Sequence, residues 1–216
     1  MSNLAPRFHK SHIYRSSTFL AGGEAIKNYI QIYLDYDCPY SGKLFNRLYK
    51  EIIPELEKKG LNEKFDIIFM NVAQPWHSTS CLMHEVSLAV AKSTPEKFWQ
   101  YSKILFENQS NFYDSEVINK SRNEIVNELI EIAIKEVGGD KEKLNELLKI
   151  ETTKENNGVI SNAGSKIGTD FKYFTRYHRT VGIHVTPTVT INGIVNSGIE
   201  SSTPLDKIIE ILESQL

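Results

Sequence analysis

The order of predicted elements points to an α/β domain: a parallel strand–helix–strand unit, a long all-helical block, then a β-hairpin and a last helix. Three observations carry this. Two β-branched and aromatic runs, Tyr29 to Asp35 (YIQIYLD) and Phe65 to Val72 (FDIIFMNV), have the length and apolar continuity of buried strands. Between them Leu44, Phe45, Leu48, Tyr49, Ile52 and Leu56 recur at helical spacing, and a helical crossover makes the two strands parallel. Near the carboxyl end the period returns to two on either side of Asn192-Gly193, the strongest short signal for a tight hairpin.

Residues 1–23 form an N-terminal extension. It carries Arg7, Lys10 and Arg15 with no acid before Glu24, a composition shared with organelle transit segments. Ser11 to Leu20 reads better as a first strand added to a sheet edge, punctuated by Pro6, Gly22 and Gly23. Pro54 is expected to kink the crossover helix, and Gly60 to stop it. Ser78 or Ser80 is the expected cap for a helix over Cys81 to Lys92, with Leu82, Val86, Ala89 and Val90 as its apolar face. Thr94-Pro95 opens the next helix, through Phe106. Ser121 and Glu124 form a capping box ahead of Ile125, Leu129, Ile132 and Ala133, closed by Gly138 and Gly139. Asp140 caps a short helix containing Leu144, Leu147 and Leu148. After the polar stretch Thr152 to Asn157, another helix is predicted from about Ile160 to Thr180. The hairpin pairs Thr188 to Ile191 with Ile194 to Ser197, and Thr203-Pro204 starts a last helix through Leu205, Ile208, Ile209 and Leu212. With no repeat and no long linker, residues 1–216 read as one domain in which residues 78–180 are a helical insertion.

With 216 residues, 40% of them apolar and 24% charged, the chain can bury a substantial core. A net charge of −2 and the absence of a dense Lys/Arg run argue against a nucleic-acid partner. No apolar run approaches the roughly eighteen residues of a membrane helix, so no membrane partner is expected. Two cysteines, Cys38 and Cys81, are too few for a disulfide scaffold and suit a reducing compartment. The expected location is the cytoplasm, with the mitochondrion second. Asn108 and Asn119 match the glycosylation pattern, which carries no weight without a secretion signal.

Cys38 stands between a predicted strand and a predicted helix. Unpaired amides and the dipole at a helix N-terminus stabilise an anion, which favours the nucleophilic thiolate there. Asp35 and Asp37 act in the opposite sense if they are close and charged. Asp35 can instead be a buried proton acceptor or a solvent-facing carboxylate at the strand end.

Cys38-Pro39-Tyr40-Ser41 after YIQIYLDYD, the Pro54 helix, the long helical insertion and Thr186-Pro187 directly before a hairpin together resemble DsbA-like members of the thioredoxin superfamily, from about Tyr29 to Leu216. The resemblance implies a thioredoxin fold with an all-helical insertion between the second strand and the C-terminal β-hairpin. It also implies a cis proline at Pro187 against the active-site cysteine, and backbone groups at Thr186 that receive an extended peptide or glutathione. Ser41 stands where a dithiol member has its second cysteine, so a local disulfide is impossible and Ser41 cannot resolve a mixed disulfide.

Three readings of Cys38 follow. In the first, it serves a glutathione-linked enzyme, either by monothiol exchange or, as in the similar kappa-class glutathione transferases, with Ser41 in binding the glutathione thiolate. In the second, a monothiol module binds extended peptide or protein thiols without turnover. In the third, the site is degenerate and Cys38 only packs. Cys38, Ser41 and Tyr40 are therefore the candidate catalytic residues, with the Tyr40 ring shielding the thiol and Ser41 donating a hydrogen bond to the sulfur. Pro39, Thr186 and Pro187 are the candidate substrate-binding residues, joined by Trp76 and His77 after the second strand, where an aromatic loop residue capping the core is the alternative. Cys81 is a candidate resolving thiol or an incidental one at a helix start. The Cys81–His84 spacing lacks a second ligand pair, so no metal is expected. His184 can tune Cys38 from the facing loop or be a solvent-exposed histidine. No tightly bound cofactor is expected, and glutathione enters as a co-substrate.

Overall fold

The structure, a computed structural model, describes residues 4–14 and 28–216. A 3-10 turn at Pro6–Phe8 leads into the short helix α1 (His9–His12). After β1 (Asn28–Leu34), the crossover consists of α2 (Pro39–Arg47), a π-helical turn (Leu48–Ile52) and α3 (Ile53–Lys58). Following β2 (Phe65–Asn71) come α4 (Ser80–Ser93), α5 (Phe98–Glu107), α6 (Asp114–Val117), α7 (Arg122–Val137), α8 (Lys141–Leu148) and α9 (Gly168–Thr180). The chain closes with β3 (Thr188–Ile191), β4 (Ile194–Val195) and α10 (Leu205–Glu213).

The strands form one mixed sheet in the order β2-β1-β3-β4, with β1 parallel to β2 and antiparallel to β3. Alternation along β1 divides the two faces. Ile30 and Ile32 pack with Ile67, Val189, Ile208 and Leu212 on the side of α2 and α10. Gln31, pointing the other way, donates through Nε2 to the Tyr177 hydroxyl of α9. Asn192 and Gly193 both have positive φ, 52° and 85°, the backbone that a two-residue hairpin turn requires. Pro54 lacks the amide that an α-helix would use at that position. The helix passes through it by way of the π-helical turn immediately before α3 and stops at Gly60, where φ is 68°.

Three sequence expectations need correction. The edge strand over Ser11 to Leu20 is replaced, as far as Tyr14, by α1 and a single antiparallel bridge from Ile13 to Ile68 on β2; residues 15–20 lie outside the described residues. Leu4, Phe8, His12 and Ile13 are buried, so residues 4–14 gain more by filling the core than by extending a ladder. The helix expected from Ile160 begins only at Gly168. Val159 and Ile160 are exposed and Gly164 has φ of 72°, so that stretch has no apolar face to bury and a backbone unsuited to a helix. Finally, neither Ser78 nor Ser80 caps α4. Thr79 occupies the N-cap without a side-chain capping bond, because all three hydroxyls are used elsewhere. The capping box at Ser121 and the cap at Asp140 form as the sequence predicts.

The helical insertion docks on α2 through a close approach at Gly42. A Cβ there would overlap the carboxamide of Gln109, whose Nε2 donates to the Tyr36 carbonyl at 3.3 Å. Gly42→Ala gains about 1 kcal/mol of helix propensity. It must, however, expel a buried side chain and leave the Tyr36 carbonyl unpaired, costs of about 1–3 kcal/mol each. A net destabilisation of roughly 1–5 kcal/mol is expected by these terms, measured as a lower urea midpoint with unchanged m-value.

Candidate functional site

The site lies beyond the carboxyl ends of β1 and β2. Because β3 runs antiparallel to β1 with Thr188 opposite Tyr33, the residues just before β3 are carried to the same end of the sheet. Cys38 is the N-cap of α2, followed by Pro39 at the first helical position, where a missing N–H costs nothing. Its thiol donates to the Thr186 carbonyl at 3.5 Å, and the Thr186–Pro187 peptide bond is cis. Cys38 is 5% exposed.

A buried carboxylate organises the loops around the thiol. Asp35, 0% exposed, receives the Ser80 hydroxyl at 2.5 Å and the Asp37 amide at 3.1 Å on Oδ1. On Oδ2 it receives His77 Nδ1–H at 2.6 Å and the Gln74 amide at 3.2 Å. His84 Nε2 stands 3.6 Å from Oδ1. Burial pushes the Asp35 carboxyl up, but the hydrogen bonds from His77 and Ser80, with His84 Nε2 close by, outweigh it and hold the group below the usual carboxylate range.

Behind Asp35 a buried polar chain runs toward the N-terminal segment. The Ser11 hydroxyl meets His12 Nδ1 at 2.7 Å, and His12 Nε2–H donates to Asn71 Oδ1 at 2.9 Å. Asn71 Nδ2 then donates to His84 Nδ1 at 2.8 Å, which leaves the His84 proton on the Nε2 that faces Asp35. His12 is stacked between Phe98 and Phe174, and burial lowers its pKa to about 3, so it stays neutral.

Asp37, beside the thiol, differs from Asp35. Burial and the charge of Asp35 raise its carboxyl, against opposing hydrogen bonds from Thr79 and the field of His77. Tyr113 faces both Asp37 and Cys38, and its hydroxyl is pushed up by burial and by those two charges.

The candidate residues are distributed unevenly over this arrangement. Cys38, Thr186, Pro187 and His77 lie on the converging loops, and Pro39 and Ser41 on the first turn of α2. Ser41 is fully buried, but its Oγ accepts from the Asp35 amide at 3.3 Å; the expected bond from Ser41 to the sulfur is not among the hydrogen bonds of the described residues. Tyr40 is 65% exposed, so its ring is open to solvent instead of covering the thiol. Trp76 is 63% exposed, which excludes the core-capping alternative. His184 has an exposed side chain, and its carbonyl accepts from Gln74 Nε2 at 3.0 Å. Cys81 is a free, exposed thiol at the start of α4; desolvation by the neighbouring chain, then Asp35 and Glu85, push it up and away from thiolate character. Among the described residues, no His/Cys/Asp/Glu group is arranged to hold a metal.

Asn71, Thr79, Ser80, His84, Gln109 and Tyr113 escaped the sequence reading as site residues. For Ser80 and His84, the signal available was two polar side chains on the face of a helix that must pack against the Cys38 strand.

A family model described as thioredoxin matches residues 15–211. No curated protein matches the chain. Among solved structures, it is similar to a Pseudomonas syringae protein proposed to be a protein-disulfide isomerase, with 21% identity over 86% of this chain and 93% of that one and a TM-score of 0.65. BdbD from Bacillus subtilis is similar at 23% identity over 90% of each chain, TM-score 0.61. DsbA from Mycobacterium tuberculosis is similar at 18% identity over 95% of this chain and 91% of that one, TM-score 0.60.

The depressed Asp35 carboxyl gives a stability contribution present above the ordinary carboxylate value, about 3.9, and lost as pH falls through the folded-state value. Asp35→Asn sets an amide donor against the donors from Ser80, His77 and the two backbone amides, and is expected to cost about 3–5 kcal/mol at pH 7. Urea unfolding should show the gap between native and variant chains narrowing below about pH 4.

Proposed function

The chain belongs to the thioredoxin family, and from that premise we propose that Cys38 is the nucleophile of a thiol- or glutathione-linked oxidoreductase or transferase that works through one cysteine. The observation that carries the proposal is the position of Cys38: a helix N-cap whose sulfur lies against the Thr186 carbonyl, before the Thr186–Pro187 bond. Three exposed apolar side chains, Tyr40 on the first turn of α2 and Trp76 and Val185 on the neighbouring loops, stand around it, a surface suited to glutathione or an extended peptide. Pro39, Thr186, Pro187 and Trp76 are the proposed substrate-lining residues. His77, with Nδ1 held by Asp35, has Nε2 left for substrate.

In the proposed exchange, the Cys38 thiolate attacks the glutathione sulfur of a substrate–glutathione disulfide. A Cys38–glutathione disulfide forms, the substrate–glutathione bond breaks, and the departing substrate thiolate takes up a proton. A reduced glutathione then attacks the mixed disulfide, restoring Cys38 and releasing oxidised glutathione. Ser41 has no sulfur with which to resolve the intermediate, so an external thiol takes that role. This chemistry belongs in a compartment that holds reduced glutathione, the cytoplasm first. The near-complete burial of Cys38 favours a second reading, a non-catalytic module that binds peptide or glutathione across the same surface.

Intact-mass measurement after incubation with oxidised glutathione separates the two. One adduct is expected on the native chain and on Cys81→Ser, none on Cys38→Ser, with release by reduced glutathione. No adduct on the folded native chain, with normal labelling after unfolding, would exclude thiol exchange and leave glutathione-thiolate binding, the binding module or a degenerate site. Separately, Ser41→Cys should form a disulfide between Cys38 and the introduced cysteine under mild oxidant, read as the loss of two hydrogen masses (about 2 Da) and of both thiols to alkylation.

A further inference from the structure

We propose that Asp37 is stored as a neutral carboxylic acid which latches the Gln109–Phe112 turn to the Cys38 loop, making Asp37 a positioning residue whose ionisation loosens the thiol site. Proton counting at Thr79 leads to this. Its Oγ1 lies 2.8 Å from Asp37 Oδ2 and 2.8 Å from the Phe112 carbonyl. Each close oxygen pair needs a proton between its members, and a hydroxyl has one to give. If Thr79 donates to the Phe112 carbonyl, the proton toward Asp37 must come from the carboxyl itself. An ionised Asp37 would instead claim the Thr79 proton and leave the Phe112 carbonyl facing a lone pair.

A second observation agrees. Asp37 is 4% exposed, and its Oδ1 is buried with no hydrogen-bond partner among the described residues. An unpaired carbonyl oxygen of a neutral acid is tolerable there, whereas an unpaired carboxylate oxygen is costly. The groups facing Asp37 are Asp35 at the end of β1, His77 and Thr79 before α4, Tyr113 after the Gln109–Phe112 turn, and the adjoining Cys38. Burial and the ionised Asp35 raise the Asp37 carboxyl, while Thr79 and His77 act against them. Keeping Asp37 neutral removes a like-charge conflict between two carboxyls that share one loop.

The latch spans the thiol loop because the turn that holds Phe112 also holds Gln109, whose side chain bonds the Tyr36 carbonyl two residues before Cys38. The consequence for reactivity rests on Cys38 being the nucleophile; the protonation state of Asp37 does not. The sign is fixed: a raised carboxyl contributes stability that is fully present below its unfolded value and is lost as pH rises through its folded midpoint. Asp37→Asn keeps a donor toward Thr79 and a carbonyl at Oδ1 and cannot ionise, so it imitates the latched state at every pH.

The test is carboxyl carbon NMR of the full chain, with Asp37 assigned by Asp37→Asn, and by the shift it undergoes in Thr79→Val if the first variant does not fold. An Asp37 carboxyl still protonated at neutral pH, well above the ordinary midpoint of about 3.9, is expected; one ionised at neutral pH overturns the proposal. Alkylation of Cys38 by iodoacetamide, followed against pH, should show a step at the Asp37 midpoint that is absent in Asp37→Asn and kept in Thr79→Ser. The same step persisting in Asp37→Asn would overturn the positioning role. If Cys38 in the folded native chain resists both oxidised glutathione and iodoacetamide, it is the nucleophile assignment that fails, and the Asp37 midpoint still decides the protonation state.

Discussion

The ionised, fully buried carboxylate of Asp35 is the constraint on which the site depends. Its oxygens collect donors from the loop after β1, the loop after β2 and the first turn of α4, positions separated in sequence by as many as 45 residues. A charge without solvent is tolerable only when hydrogen bonds replace its hydration, and the geometry that does so leaves little freedom to the segments supplying them. The loops that frame Cys38 are thereby held by the carboxylate as well as by the strands.

This arrangement explains why two aspartates two residues apart behave differently. Asp35 has matching donors and is stabilised as an anion; Asp37 has Thr79, with its backbone and a hydroxyl already in demand from Phe112, and a charged neighbour. Environment, not residue type, separates their roles. The polar chain from Ser11 through His12, Asn71 and His84 extends the same order inward. It ties residues 4–14 to the site without placing a net charge in the aromatic core around His12.

A thiol at a helix N-cap, exposed apolar side chains around it, and a serine where a second sulfur would stand describe a thioredoxin-family site that, on the proposed function, needs an external thiol to complete its cycle. The buried Ser41 is not idle: by accepting from the Asp35 amide it supports the backbone that presents the carboxylate. That structural duty accounts for a hydroxyl at this position without invoking contact with the sulfur.

How much was legible beforehand follows from the range of the interactions involved. The strand at Tyr29 to Asp35, the Ser121 capping box, the Asn192-Gly193 turn and the place of Cys38 between strand and helix depend on neighbours a few residues apart, and the chain by itself determined them. The use of Ser80 and Thr79 for Asp35 and Asp37 instead of for capping α4, the closeness of Gly42 to Gln109, and the burial of His12 and His84 depend on partners tens of residues away. The late start of α9 has the same origin, since helical spacing at Ile160 means nothing without a surface to cover it. Periodicity and turn chemistry are properties of a segment, whereas the protonation of a buried acid and the choice of a hydroxyl's partner are decided by which segments meet, and only the tertiary structure decided that.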